Sequence, residues 1–201
     1  MKYTGAPNNF CKIPKLTTLS MRIHATPLAD LFILEPIIFS DARGFFYESF
    51  NCARFAELVG VNKSFVQDNH SQSARNVLRG LHYQINQPQG KLVRVTAGEV
   101  FDVAVDLRKS SPTFGQWFGT SLSANNKRQL WIPEGFAHGF IVTTDFAEFL
   151  YKTTDYYAPE YERCILWNDL DLGIKWPIQF PPLLSPKDLA GKKFSEAEVF
   201  A

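Results

Sequence analysis

Short apolar runs, punctuated by Gly, Pro, Asn and Asp, follow one another from Leu31 onward, and this spacing restricts the chain to a β-rich fold. The clearest run covers residues 100–107, where Phe101, Val103, Val105 and Leu107 alternate with Asp102, Ala104 and Asp106. That period of two is the pattern of a strand with one face in a core and one toward water. Further strands are predicted over residues 31–39, 45–50, 65–70, 77–84, 91–96, 116–122, 129–132, 140–143, 148–154 and 164–167. Turns such as Ser111-Pro112, Ala124-Asn125-Asn126 and Pro133-Glu134-Gly135 separate them. Short strands at near-regular spacing predict an antiparallel sandwich or barrel.

Two short helices flank this pattern. Asn51 is placed to cap one whose Phe55, Leu58 and Val59 share a face and which Gly60 stops. Ser185-Pro186 reads as the cap and first position of the other, with Lys187 and Asp188 in its first turn. Residues 1–20 are polar and aperiodic and read as a loosely ordered extension, with Met21 as an alternative start. Residues 21–201 read as a single domain.

Charge balance narrows the partners. Twenty-one basic residues against 20 acidic ones leave a formal charge of +1, so no global field attracts nucleic acid or an anionic membrane. An anion must be met by a local cluster. No apolar run has the length of a signal peptide or a membrane span, and the three cysteines, Cys11, Cys52 and Cys164, lack the spacing of a disulfide framework or thiolate metal site. A reducing, cytoplasmic setting is expected.

The chemistry-bearing stretch is Asn76-Val77-Leu78-Arg79-Gly80-Leu81-His82-Tyr83-Gln84, which sets an arginine and a histidine on an otherwise apolar strand. It reads as a base beside an anion-binding group, or alternatively as a surface charge and a core histidine. In a straight strand Arg79 and His82 point to opposite faces, so a site holding both needs a bulge, and Gly80 can host one. Lys91 is either a strand-end lysine reaching water or an ammonium set against a developing oxyanion. Tyr151 is either core or a proton donor. Asp188 in a helix's first turn is either a favourable charge at the dipole or part of a site.

His138 ends a Pro-x-Gly-x-x-His pattern found in the jelly-roll barrels called cupins. Metal-binding cupins carry an earlier His-x-His, and here that position reads His82-Tyr83-Gln84. The ligand set is incomplete, and no catalytic metal is expected.

A series of motifs in order resembles the dTDP-4-dehydrorhamnose 3,5-epimerase family. They include Asp41-Ala42-Arg43-Gly44-Phe45-Phe46, Phe65-Val66-Gln67-Asp68-Asn69-His70-Ser71, Val77-Leu78-Arg79-Gly80-Leu81-His82 and Gly90-Lys91-Leu92-Val93-Arg94. They continue through Leu130-Trp131-Ile132-Pro133-Glu134-Gly135-Phe136-Ala137-His138, Phe149-Leu150-Tyr151-Lys152, Trp167-Asn168-Asp169 and Leu184-Ser185-Pro186-Lys187-Asp188. The resemblance implies a mainly β, cupin-type jelly-roll barrel, without metal or cofactor, in a homodimer acting on a dTDP-linked 4-keto-6-deoxyhexose.

By the same resemblance His82 is the base, Asp188 its carboxylate partner, Lys91 the enolate stabiliser and Tyr151 the acid. Arg43, Glu48, Gln67, Asp68, Asn69, Arg79, Lys91, His138, Glu162 and Lys187 match substrate-contact positions, and Tyr157 stacks on the thymine. Arg43 and Glu48 are expected to reach the neighbouring protomer's site. Relatives that invert only one centre, a non-catalytic sugar-nucleotide-binding cupin and a metal-dependent cupin oxygenase are the alternatives.

Overall fold

In the computed structural model, residues 21–61 and 63–201 are described, and the expected extension over residues 1–20 lies outside them. The apolar runs form β1 (Met21–Ala25), β2 (Phe32–Pro36), β3 (Phe39–Asp41) and β4 (Gly44–Phe46), followed by the helix α1 (Cys52–Val59). Next come β5 (Gln67–Ala74), β6 (Leu78–Gln84), β7 (Lys91–Ala97), β8 (Glu99–Asp106) and β9 (Trp117–Ser123). The order ends with β10 (Gln129–Ile132), β11 (Phe136–Val142), β12 (Phe146–Thr153), β13 (Glu162–Cys164) and the helix α2 (Pro186–Leu189).

Two antiparallel sheets carry the structure. The six-stranded sheet runs β1-β2-β10-β7-β12-β5 and the five-stranded sheet runs β13-β6-β11-β8-β9, while β3 and β4 form a separate hairpin. Val93, Ile132 and Phe149 of the first sheet meet Val100, Leu122 and Phe140 of the second in a shared core. The mainly β expectation with short flanking helices is therefore met, in the face-to-face arrangement of a jelly roll.

The outer faces are covered as well. Phe55 of α1 packs with Trp131, Phe50 and Phe65 over the six-stranded sheet. The C-terminal segment lays Trp176, Phe194 and Phe200 over Leu81, Val103 and Val105 of the five-stranded sheet. Both helix ends follow their sequence signals: the Asn51 side chain accepts from the Arg54 amide, and Gly60 closes α1 at φ 74°.

Several strand expectations change: the run over 31–39 ends at Pro36, 65–70 extends to Ala74, and 164–167 becomes Glu162–Cys164. The predicted strand over residues 45–50 stops at Phe46, because Phe50 leaves the hairpin to pack its ring on Phe55 and Phe65. β1 carries no strong pattern of its own and is a strand through pairing with β2, Met21 opposite Pro36. β11 begins at Phe136, because the Pro-x-Gly-x-x-His segment pairs with β8 from Asp106 onward. No helix among the described residues is long and apolar enough to cross a membrane.

Candidate active site

A cavity of about 430 Å³ opens between the two sheets. Asn69 of β5, Lys91 of β7 and Tyr151 of β12 line it from the six-stranded sheet, and Arg79 and His82 of β6 and His138 of β11 line it from the five-stranded sheet. Tyr157, Glu162, Lys187 and Asp188 complete the wall. Ten of the residues singled out in the sequence thus meet around one space.

Arg79 and His82 share the cavity because β6 is irregular at Gly80. Pairing with β11 sets His138 opposite His82 but Phe140 opposite Arg79, so three steps along β6 match two along β11. This is a bulge, and it cancels the odd spacing that separates the two side chains in a straight strand. Gly80 has φ 120°, and a Cβ there would lie 2.6 Å from Cα of Gly139. Only glycine fits both the backbone angle and the approach of β11.

The Asp188 carboxylate anchors His82. Its Oδ1 lies 2.9 Å from Nε2 of His82, an ion-pair contact without the alignment of a full hydrogen bond. The same oxygen accepts from the Gly80 amide at 2.9 Å, while Oδ2 accepts from the Ser185 amide at 3.0 Å and the Ser185 hydroxyl at 2.5 Å. Those last contacts are the capping box of α2. Burial pushes the Asp188 carboxyl up, yet His82, Ser185 and the two amides outweigh it and hold the group far below the ordinary range. Asp188 is ionised at any working pH.

Lys91 is buried and lies 3.4 Å from the His82 carbonyl through Nζ. Burial drives its ammonium down to about 8, against the carboxylates of Asp102 and Glu162 that pull it up. Burial likewise raises the Tyr151 hydroxyl, which the positive charge of Arg79 partly offsets. Tyr151 is therefore protonated at neutral pH, as a proton donor must be.

A second histidine–carboxylate pair lies deeper. Nε2 of His138 is 2.9 Å from Oδ2 and 3.0 Å from Oδ1 of Asp102, which is fully buried on β8. Burial raises the Asp102 carboxyl, and the neighbouring His138 and Lys91 pull it back down. At the mouth, Oε2 of Glu162 accepts from the Tyr157 hydroxyl at 2.9 Å and the Lys187 ammonium at 2.5 Å. Burial opposes the Glu162 charge, but those two donors hold its carboxyl below the usual range. Gln67 braces this side: its Nε2 donates to Asn69 and its Oε1 accepts from the Tyr157 amide, both at 3.0 Å.

The fold and this constellation have counterparts. A family model described as dTDP-4-dehydrorhamnose 3,5-epimerase matches residues 25–196. A protein of that name from Pseudomonas aeruginosa is 66% identical over 180 residues, covering 89% of this chain and 99% of its own. The chain belongs to the dTDP-4-dehydrorhamnose 3,5-epimerase family. A crystal structure of the Legionella pneumophila dTDP-6-deoxy-D-glucose-3,5-epimerase in complex with dTDP-4-keto-L-rhamnose superposes with a TM-score of 0.87. It is 57% identical and covers 89% of this chain and 95% of its own. A 3'-monoepimerase from Streptomyces bikiniensis, solved in complex with dTDP-quinovose, is 33% identical with a TM-score of 0.80, covering 86% of this chain and 87% of its own.

Four residues expected at this epimerase-family site do not line its cavity: Gln67, which braces Asn69 and Tyr157 from behind it, and Asp68, Arg43 and Glu48. Strand alternation turns Asp68 to the outer face of β5, where Lys152 donates to it at 2.9 Å. Arg43 sits on the exposed β3–β4 turn with its guanidinium on Asp41, and Glu48 accepts from the Asn51 side chain at 3.1 Å. Asp102 is the residue that sequence reasoning missed. The alternation over 100–107 predicts a water-facing Asp102, but both faces of β8 are covered, and its face lies between the sheets with Val100 and Ala104. Those two apolar neighbours at even spacing were the signal available.

Proposed function

We propose that the chain is a dTDP-4-dehydrorhamnose 3,5-epimerase, inverting C3 and C5 of dTDP-4-dehydro-6-deoxy-D-glucose to give dTDP-4-dehydro-L-rhamnose. One observation carries the reading: a histidine held by an ionised carboxylate on one sheet and a protonated tyrosine on the other line a single cavity, with a buried lysine between the strands. Inversion next to a ketone needs a base and an acid on opposite faces of the sugar and a cation at the ketone oxygen.

In this mechanism the imidazole nitrogen of His82 not engaged by Asp188 takes the proton from C3 or C5. Negative charge moves to the C4 oxygen, where the Lys91 ammonium stabilises the enolate. Tyr151 returns a proton to the opposite face, and the stereocentre inverts. Asp188 fixes the imidazole tautomer and favours the imidazolium formed. Removal and return of a proton leave the oxidation level unchanged, so the reaction calls for no redox cofactor. Arg79 and Lys187 face the diphosphate, Asn69, Gln67, His138 and Glu162 position the sugar nucleotide, and Tyr157 stacks on the thymine.

The same reading makes the molecule a homodimer. The hairpin that carries Arg43 exposes Phe39, Phe45 and Phe46 at 58, 61 and 70%, an apolar surface for a second copy to cover. Arg43 and Glu48 then serve the partner's cavity, and the protein works in the cytoplasm. The similarity to a 3'-monoepimerase supports a second reading, inversion at C3 alone.

Incubating dTDP-4-dehydro-6-deoxy-D-glucose with the protein and a 4-keto reductase separates these. Formation of dTDP-L-rhamnose is the expected result. A product inverted at one centre would favour the second reading, and an uninverted alcohol would sink both.

A further inference from the structure

We propose that His82, Cys164 and Asp188 form a binding site for a thiophilic divalent cation, zinc fitting best, and that its occupancy switches off the proposed reaction. The three residues come from β6, β13 and the first turn of α2, so no sequence spacing reveals them together. Cys164 stands directly across from His82 in the β13–β6 pairing. A ring nitrogen, Sγ and a carboxylate oxygen all lie within 4.8 Å of one another.

Zinc bonds near 2.0–2.3 Å in tetrahedral geometry set ligand atoms about 3.3–3.6 Å apart. The longest separation must shorten by about 1 Å and the 2.9 Å His82–Asp188 contact must open slightly, both within reach of side-chain torsions. Two of the ligands are also free to respond. Nε2 of His82 is buried without an aligned hydrogen bond, and the Cys164 thiol makes only a 3.6 Å contact with the Ile165 carbonyl.

Binding exchanges bonds without moving electrons. The hydrated cation sheds water, the thiol proton passes to solvent, and bonds form to sulfur, nitrogen and oxygen. Sulfur binds as thiolate, so the cation itself must drive the proton off the thiol. That requirement favours zinc, cadmium or cobalt over magnesium or calcium, which prefer oxygen ligands. His82 and Asp188 both line the cavity, so a cation held by them lies at its wall. With Nε2 on the metal, the neutral ring keeps its proton on Nδ1, the nitrogen the mechanism uses, so His82 cannot accept a proton from carbon. The inhibition rests on the proposed function; the binding rests on the cluster alone.

Cobalt titration of the purified full chain tests the binding, because a thiolate–cobalt bond gives a near-ultraviolet charge-transfer band. The band is expected in the parent and absent in Cys164→Ser. No band in the parent, or an undiminished band in the variant, would overturn the site. In parallel, zinc is expected to inhibit parent epimerisation, reversibly on chelation. Cys164→Ser and Cys164→Ala should keep basal turnover and need at least about 10–100-fold more zinc, the loss expected when a ligand is removed. Equal zinc sensitivity of parent and variants would contradict the switch. A Cys164-dependent band in a chain with no epimerase activity would sink the proposed reaction and support the site.

Discussion

Oδ1 of Asp188 lies 2.9 Å from Nε2 of His82 and also accepts from the Gly80 amide in the same strand, so one carboxylate holds both the proposed base and the bulge that aims it. The cap of α2 and the proton chemistry are therefore the same group seen from two sides. Asp188→Asn removes the charge and keeps the shape. Its turnover is expected to fall about 1,000-fold with dTDP affinity retained, on the precedent of tautomer-fixing carboxylates. Unchanged turnover in a steady-state assay would remove Asp188 from the dyad.

The depressed Asp188 carboxyl also predicts an acid limb in stability. Because the folded value lies below the ordinary 3.8, its contribution is fully present above that pH and is lost as pH falls through the folded value. Thermal melts of the parent should weaken on acidification below about pH 4, and Asp188→Asn should flatten that limb. Parallel melting curves for the two proteins would contradict the carboxyl's assignment.

Lys91 titrates near 8 rather than its ordinary 10.5, and the enolate needs its charged form. The free enzyme's kcat/KM should therefore decline as pH rises through about 8. Stability runs the other way: the unfolded chain holds more protons between the two values, so burying this ammonium is costly and the cost fades as pH rises. Lys91→Met should be nearly inactive yet more stable by about 1–3 kcal/mol at neutral pH, read by denaturant unfolding. A variant both inactive and less stable would argue against a charge buried for catalysis.

Tyr151→Phe removes the proton donor and leaves the base. Exchange of solvent deuterium into substrate should persist while inversion falls by about 100-fold or more. Loss of both to the same degree, followed by NMR, would count against Tyr151 as the acid.

The hairpin around Arg43 gives a test of the dimer. An Arg43→Ala chain and a His82→Ala chain should each be inactive, but mixing them under subunit exchange should restore activity. If Arg43 serves the partner's cavity, one site of the mixed dimer carries both lesions and the other carries neither. No recovery, with mixed dimers present by mass spectrometry, would place Arg43 in its own chain's chemistry or outside it.

Gly80→Ala probes the bulge itself. A Cβ at φ 120° against Gly139 and the His138 carbonyl forces β6 and β11 apart. A loss of about 2–4 kcal/mol in unfolding free energy is expected. Native stability and native turnover together would show that Arg79 and His82 share the cavity without it.

Much of this was legible beforehand because local signals and tertiary placement agreed. Asn51, Gly60 and Ser185 end helices where their side chains or backbones permit, and β7 and β12 read as strands that carry Lys91 and Tyr151 inward. Placement failed where a second layer decided the outcome. Asp102 reads as water-facing only if one face of β8 is bare, but the C-terminal segment covers the Phe101-Val103-Val105 face and the other sheet covers the face of Asp102. Asp68 and Asn69 are equivalent in composition, yet alternation along β5 sends one to Lys152 and the other to the cavity. The proximity of Cys164 to His82 and Asp188 depends on three elements meeting and has no local signature.

The most direct measurement is proton NMR of dTDP-4-dehydro-6-deoxy-D-glucose in deuterated water with the protein, following the C3 and C5 positions separately. Two opposed proton-transfer groups flanking the ketone predict that both signals disappear and that the L-configured product accumulates. Retention of both signals, with dTDP still bound, would contradict the account.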